Sequence, residues 1–122
     1  MFEVAYETTF CTTHVLTKAG QPIEPLHGHD WRVEVAAAGE GLDAIGVVVD
    51  FEHLKKAVGE VAARFHYRDI SSHPAFAGQS ASAVAVARYF FDEVRKGMGV
   101  EGGRLRRVRV WEAPGCSATY SE

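Results

Sequence analysis

Apolar and polar positions alternate from Phe2 to Thr13, with Phe2, Val4, Tyr6, Thr8 and Phe10 on one side and Glu3, Ala5, Glu7, Thr9 and Cys11 on the other. A period of two over aromatic and β-branched residues predicts a β-strand, because successive side chains of an extended backbone point to opposite faces. Gly20, Pro22 and Pro25 break the pattern and predict a loop over 17–25. Alternation resumes from Asp30 to Ala38, with Trp31, Val33, Val35 and Ala37 on one face. His29, Arg32 and Glu34 share the other face only if the register shifts. The two segments are close enough to pair as antiparallel strands. A turn region over 39–46 follows, and then the short apolar run Val47-Val48-Val49.

Beyond Asp50 the period changes. Leu54, Ala57, Val58, Val61, Ala62 and Phe65 recur at three and four residues, which predicts a helix with one buried stripe. Asp50 is placed to cap it, Glu52 and Glu60 keep its outer side in water, and it ends before Pro74. After an irregular stretch over 71–79, Ser80 or Ser82 can cap a second helix. Its stripe is Val84, Ala87, Phe91 and Val94, flanked by Ala83, Phe90 and Met98, and the glycines at 97, 99, 102 and 103 end it. Leu105 to Glu112 and Ala118 to Ser121 read as two last strands joined through Pro114-Gly115. The predicted order is ββααββ. Two helices cover one face of a four-stranded sheet, so the opposite face, expected to carry aromatic and aliphatic residues, calls for burial by self-association.

A chain of 122 residues, 47% hydrophobic and 24% charged, fits one soluble domain over 1–122. A net charge of -3 argues against a nucleic-acid partner, which needs a basic field. The one basic run, Arg104, Arg106, Arg107 and Arg109, is interleaved with Leu105, Val108 and Val110 and reads as a strand with a charged face. Two cysteines do not make a disulfide scaffold. No segment approaches the roughly 20 apolar residues of a membrane span, and no basic-then-apolar leader opens the sequence. A cytoplasmic protein is expected.

The six histidines stand at 14, 27, 29, 53, 66 and 73. Residues i and i+2 of a strand point the same way, so His27 and His29 can reach one ion, with Gly28 leaving room between them. His14 ends the preceding strand and can join them across the hairpin. Three imidazoles around zinc leave a fourth position for water or substrate, the layout of a catalytic site. Surface histidines at strand ends would give the same spacing, and spacing alone leaves both readings open. His53, beside Glu52 on the first helix, reads as solvated or locally paired.

Thr13-His14, Leu26-His27-Gly28-His29, Gly46-Val47-Val48-Val49-Asp50-Phe51, Val110-Trp111-Glu112 and Ala118-Thr119-Tyr120 together make the chain resemble, over nearly its whole length, the 6-pyruvoyl-tetrahydropterin synthase and 6-carboxy-tetrahydropterin synthase family. The resemblance implies an α+β T-fold: a four-stranded antiparallel sheet with two helices on one face. It implies that His14, His27 and His29 hold Zn2+, which polarises the side-chain oxygens of a reduced pterin. Glu112 then anchors the pterin ring, since one carboxylate can accept two parallel N–H bonds from the ring's amino group and N3. Trimers stacked as a homohexamer, with sites between subunits, are implied as well.

The sequence departs from the family pattern where protons move. Ile23 stands where the usual members have a cysteine, four residues before the first histidine of the HGH element. Glu24 matches a variant of the family with an ExxHGH pattern, which cleaves the side chain of dihydroneopterin, and a carboxylate beside zinc can serve as general base. It can equally be a loop residue between two prolines. The family's Asp-His pair falls on His66 and Tyr67, and its Asn-Pro-Thr-x-Glu stretch on Gly78-Gln79-Ser80-Ala81-Ser82. Ala113 stands where a threonine often follows the pterin glutamate. His66, with His73 and Asp69, can rebuild a relay or remain ordinary loop polarity. The expected function is a zinc-dependent lyase acting on 7,8-dihydroneopterin or its triphosphate, with Glu24 and His66 moving protons. The alternatives are a non-catalytic pterin-binding protein and a structural or interaction protein with an idle metal site.

Overall fold

Both long alternating segments are strands. The computed structural model describes the backbone of residues 1–122 and every side chain except that of His27. Strand β1 (Phe2–His14) is followed by a small ribbon, β2 (Thr17–Lys18) and β3 (Gln21–Pro22), and then by β4 (His27–Gly39). Helix α1 (Phe51–Ala63), the short strand β5 (Arg68–Asp69), helix α2 (Ala83–Gly97) and strands β6 (Leu105–Ala113) and β7 (Cys116–Ser121) complete the chain, with three short 3-10 turns between them.

The main sheet runs β5-β1-β4-β6-β7. The expected ββααββ order with a four-stranded sheet is therefore incomplete. Four long strands and two helices are present, but β5 adds a parallel edge at Thr12 and Thr13, and β2 and β3 pair inside the segment read as a loop. A two-residue strand carries no periodicity to read. The architecture is α+β and T-fold-like.

Pairing of β1 with β4 is unbroken from Phe2–Gly39 to His14–His27. No shift is needed at the start of β4, so His29 shares the face of Trp31, Val33 and Val35, while Asp30, Arg32 and Glu34 take the other. The irregularity comes later, between Ala36 and Ala37 opposite β6. Pro114-Gly115 closes the β6–β7 hairpin, Gly115 supplying a φ of 80° that a side chain disfavours.

Phe10, Trp31, Phe65, Phe90, Phe91 and Leu54 form the centre of the core between sheet and helices. Asp50 caps α1 by accepting the Glu52 N–H at 2.8 Å, and the stripe read from the sequence is the buried one. In α2 the buried stripe is Val86, Ala87, Phe90, Phe91 and Val94. Val84, expected on that stripe, is 71% exposed. At 3.6 residues per turn it lies about a third of a turn off the line of Val86, Phe90 and Val94. Phe90 stacks on Phe10 with ring centroids 5.3 Å apart and also meets Phe65. Phe90→Ala is expected to cost about 3–5 kcal/mol in urea unfolding; an unchanged midpoint would remove this seam from the core.

The sheet face away from the helices is not aromatic and aliphatic as expected. It carries Glu3, Glu7, Asp30, Arg32, Glu34, Arg107 and Arg109 around Trp111 and small alanines, because most large apolar positions of the four long strands fall in the same phase, toward the helices. Arg107 bridges Glu3 at 2.7 Å and also Glu34. Arg32 and Arg109 lie over the Trp111 ring at 3.7 and 4.8 Å. Burial of apolar surface thus gives no reason for a partner on this face. The sheet ends on β7, and on β1 before the two residues paired with β5. Among the described residues no helix is long and apolar enough to cross a membrane.

Candidate metal centre

Strand parity assembles the site. Phe10 pairs with Trp31 and Thr12 with His29, so Phe10, Thr12 and His14 of β1 share the helix-facing side with His29 and Trp31 of β4. Val33 pairs with Val110, which brings Glu112 of β6 to the same side, beside Trp31. At this end of the sheet the aromatic core gives way to His14, His29 and Glu112.

Ligand atoms of these three residues all lie within 4.8 Å of one another. The His14 and His29 rings are 5.6 Å apart, and His14 Nε2 is 3.8 Å from Glu112 Oε1. His14 is fully buried and meets the Trp31 ring edge-on at 5.0 Å. Its Nδ1 lies 3.1 Å from the Ala81 carbonyl oxygen. A carbonyl only accepts, so Nδ1 carries the hydrogen, and Nε2 is the ring nitrogen turned toward Glu112. An imidazole nitrogen and a carboxylate oxygen turned toward each other are atoms that one cation can bridge.

The donor set fits zinc. Two imidazole nitrogens and a carboxylate oxygen are its ordinary ligands, and bonds of about 2.0–2.2 Å around a tetrahedral ion place ligand atoms roughly 3.3–3.5 Å apart. Modest closure of the observed cluster reaches that spacing. The third expected ligand, the His27 side chain, lies outside the described residues; its backbone pairs with His14. Gly28 does not open space between imidazoles. It points to the other face, where an added Cβ would meet Thr13 Cγ2 at 3.4 Å.

The chain after His14 is held by side chains from three segments. Val15 N–H donates to Ser71 Oγ at 2.9 Å, Leu16 N–H to Glu24 Oε1 at 3.0 Å, and Thr17 N–H to Ser80 Oγ at 2.8 Å. Glu24 is thus a half-buried, anchored carboxylate rather than a loose loop residue. Glu112, expected at a pterin ring, also belongs to the cluster able to hold a metal ion. Its phase, two residues after Val110, puts it on the helix-facing side, and the β4–β6 register brings it to His14.

The remaining candidates lie elsewhere. His66 Nδ1 accepts the Cys11 N–H at 3.1 Å, and its ring packs on Tyr67 at 3.9 Å. Cys11 is three residues from His14, about 10 Å of strand, and faces the opposite side. His66 is therefore not brought to the cluster of its own chain. His73 accepts the Ala75 N–H and packs on Phe65, while Asp69 caps Ser71. His53 pairs with Glu101 at 3.1 Å, not with Glu52. Neither cysteine stands in for the missing one. Cys116 is exposed on β7, and burial together with the Asp30 carboxylate pushes the Cys11 thiol up, away from the reactive thiolate.

The profile of the family described as 6-pyruvoyl tetrahydropterin synthase matches residues 3–122. The chain belongs to this family. An Archaeoglobus fulgidus protein, provisionally named a 6-carboxy-5,6,7,8-tetrahydropterin synthase, is 31% identical over 112 residues, covering 89% of this chain and 86% of that relative. Among solved structures, the Caenorhabditis elegans 6-pyruvoyl tetrahydropterin synthase superposes with a TM-score of 0.89 at 22% identity, covering 99% of this chain and 95% of that one. A Plasmodium vivax 6-pyruvoyltetrahydropterin synthase, solved with a catalytic glutamate replaced by alanine, gives 0.74 at 15% identity, covering 99% and 97%. At these identities the two structures speak for the fold. As a 6-pyruvoyl tetrahydropterin synthase family member the chain lacks the usual cysteine, whose position Ile23 holds, and keeps a cluster able to coordinate a metal ion.

Proposed function

We propose that this protein is a cytoplasmic, single-domain zinc-dependent lyase acting on the side chain of 7,8-dihydroneopterin or its triphosphate. The observation that carries the reading is the convergence of His14, His29 and Glu112 at one end of the sheet, beside a turn to which Glu24 is anchored. His14, His27 and His29 would hold the zinc, which supplies Lewis-acid polarisation of the side-chain oxygens when bound. Glu112 accepts the N–H groups of the pterin ring and fixes its orientation. Glu24, held beside the site by the Leu16 N–H, would take a proton from the substrate side chain. A catalytic glutamate in the Plasmodium vivax relative supports that role.

His66 belongs to this scheme through a second copy. It sits where the sheet ends on β1, and the ends on β1 and β7 support joining of subunits into trimers and a stacked hexamer. There it would move a proton at a neighbour's site. A non-catalytic pterin-binding protein is the second reading, favoured by Ile23, Tyr67 and Ser82 at positions where the family has reactive or polar groups.

The test is anaerobic incubation of zinc-loaded protein with dihydroneopterin and, separately, its triphosphate, with products read by mass. Formation of 6-hydroxymethyl-dihydropterin is the expected result. Intact substrate in both, with pterin retained, replaces the lyase by the binding protein.

A further inference from the structure

The sequence offers two serines as caps for α2, and the structure separates their tasks. Ser82 is the cap, accepting the Ala85 N–H at 3.2 Å. Ser80 turns away from the helix to Thr17. It accepts the Thr17 N–H at 2.8 Å, donates its own hydrogen to the Thr17 carbonyl at 2.8 Å, and lies 3.4 Å from the Thr17 hydroxyl. Between the two serines is Ala81, fully buried, whose carbonyl oxygen takes the His14 Nδ1–H.

We infer that Ser80 is a positioning residue for the metal centre: its latch on Thr17 sets the Ala81 carbonyl against His14 and thereby selects the Nδ1–H tautomer, in which Nε2 is the metal-binding atom. The chain between 77 and 82 has no regular structure of its own apart from its ends, so its placement depends on such side-chain bonds. The latch reaches residue 17, three positions beyond His14, and so fixes donor and acceptor to the same short segment. An acceptor on the far ring nitrogen holds a ligating imidazole in tautomer and orientation, and losing it typically weakens metal affinity about 10–100-fold. The latch rests on the zinc reading given above only for its purpose, not for its geometry.

Ser80→Ala is the test, with Ser80→Thr as the conservative rescue. Ser80→Cys fills the same space with a weak hydrogen-bonding group should loss of the hydroxyl unfold the loop. In metal-free protein, 15N NMR of the His14 ring is expected to give one Nδ1–H tautomer in the parent and in Ser80→Thr, and a mixture in Ser80→Ala. Zinc affinity, measured by competition with a chromophoric chelator, is expected to fall about 10–100-fold in Ser80→Ala and to return in Ser80→Thr. A merely structural role would lower thermal stability and leave the tautomer intact. A single Nδ1–H tautomer and undiminished zinc affinity in Ser80→Ala overturn the latch. A parent protein that binds no zinc overturns the metal reading instead, and the tautomer then decides the latch alone.

Discussion

Glu24→Gln is expected to lower turnover of the pterin substrate by about a hundred- to ten-thousand-fold, the range for loss of a positioned general base. Zinc content and pterin affinity should stay near those of the parent. Glutamine is the informative replacement because the proposed reaction adds a second task to the anchoring one. One oxygen accepts the Leu16 N–H at 3.0 Å and holds the loop, and an amide oxygen can still do so. In the proposed reaction the carboxylate also takes the proton, and an amide cannot. Glu24→Ala would mix the effects, since it also leaves the Leu16 N–H without its acceptor and loosens the chain two residues beyond His14. Single-turnover rates under anaerobic conditions, with metal analysis and pterin titration of the same preparations, separate chemistry from binding. A Glu24→Gln protein as fast as the parent would assign the proton to another group and leave Glu24 as an anchor.

The parts legible in the sequence were those with a period. Thirteen-residue strands and the α1 stripe repeat often enough to be read, and each brought its buried face with it. Strands β2, β3 and β5 are two residues each and carry no repeat. Val84 misled because spacing from Ala87 and Phe91 alone does not fix where a stripe is centred. The polarity of the outer face was not legible because it depends on the pairing of β1, β4 and β6, which brings their large apolar positions into one phase. His27 and His29 were legible as an i, i+2 pair that His14 could join, because that parity is local to a strand; the structure brings His14 and His29 together, and the His27 side chain lies outside the described residues. The approach of Glu112 to His14 was not legible, because it depends on the β4–β6 register, and the tasks of Ser80 and Glu24 depend on loops that only long-range bonds define.

The same register raises the sharper question about Glu112, whose carboxylate can face the ion or the ring. Glu112→Gln is expected to weaken pterin binding by about a hundredfold or more while zinc affinity changes less than about tenfold. A carboxylate accepts both the amino and N3 hydrogens of the ring. An amide offers one acceptor and sets an N–H against the second, so one charge-assisted bond of about 1.5–3 kcal/mol is lost and a donor clash is gained. The distance of 3.8 Å from Glu112 Oε1 to His14 Nε2 leaves room for either task. Were the carboxylate a zinc ligand, the two affinities would fall together, as they should in His29→Ala. Zinc competition and pterin titration on both variants therefore distinguish the roles: loss of pterin alone makes Glu112 the ring anchor, and joint loss makes it a member of the metal centre.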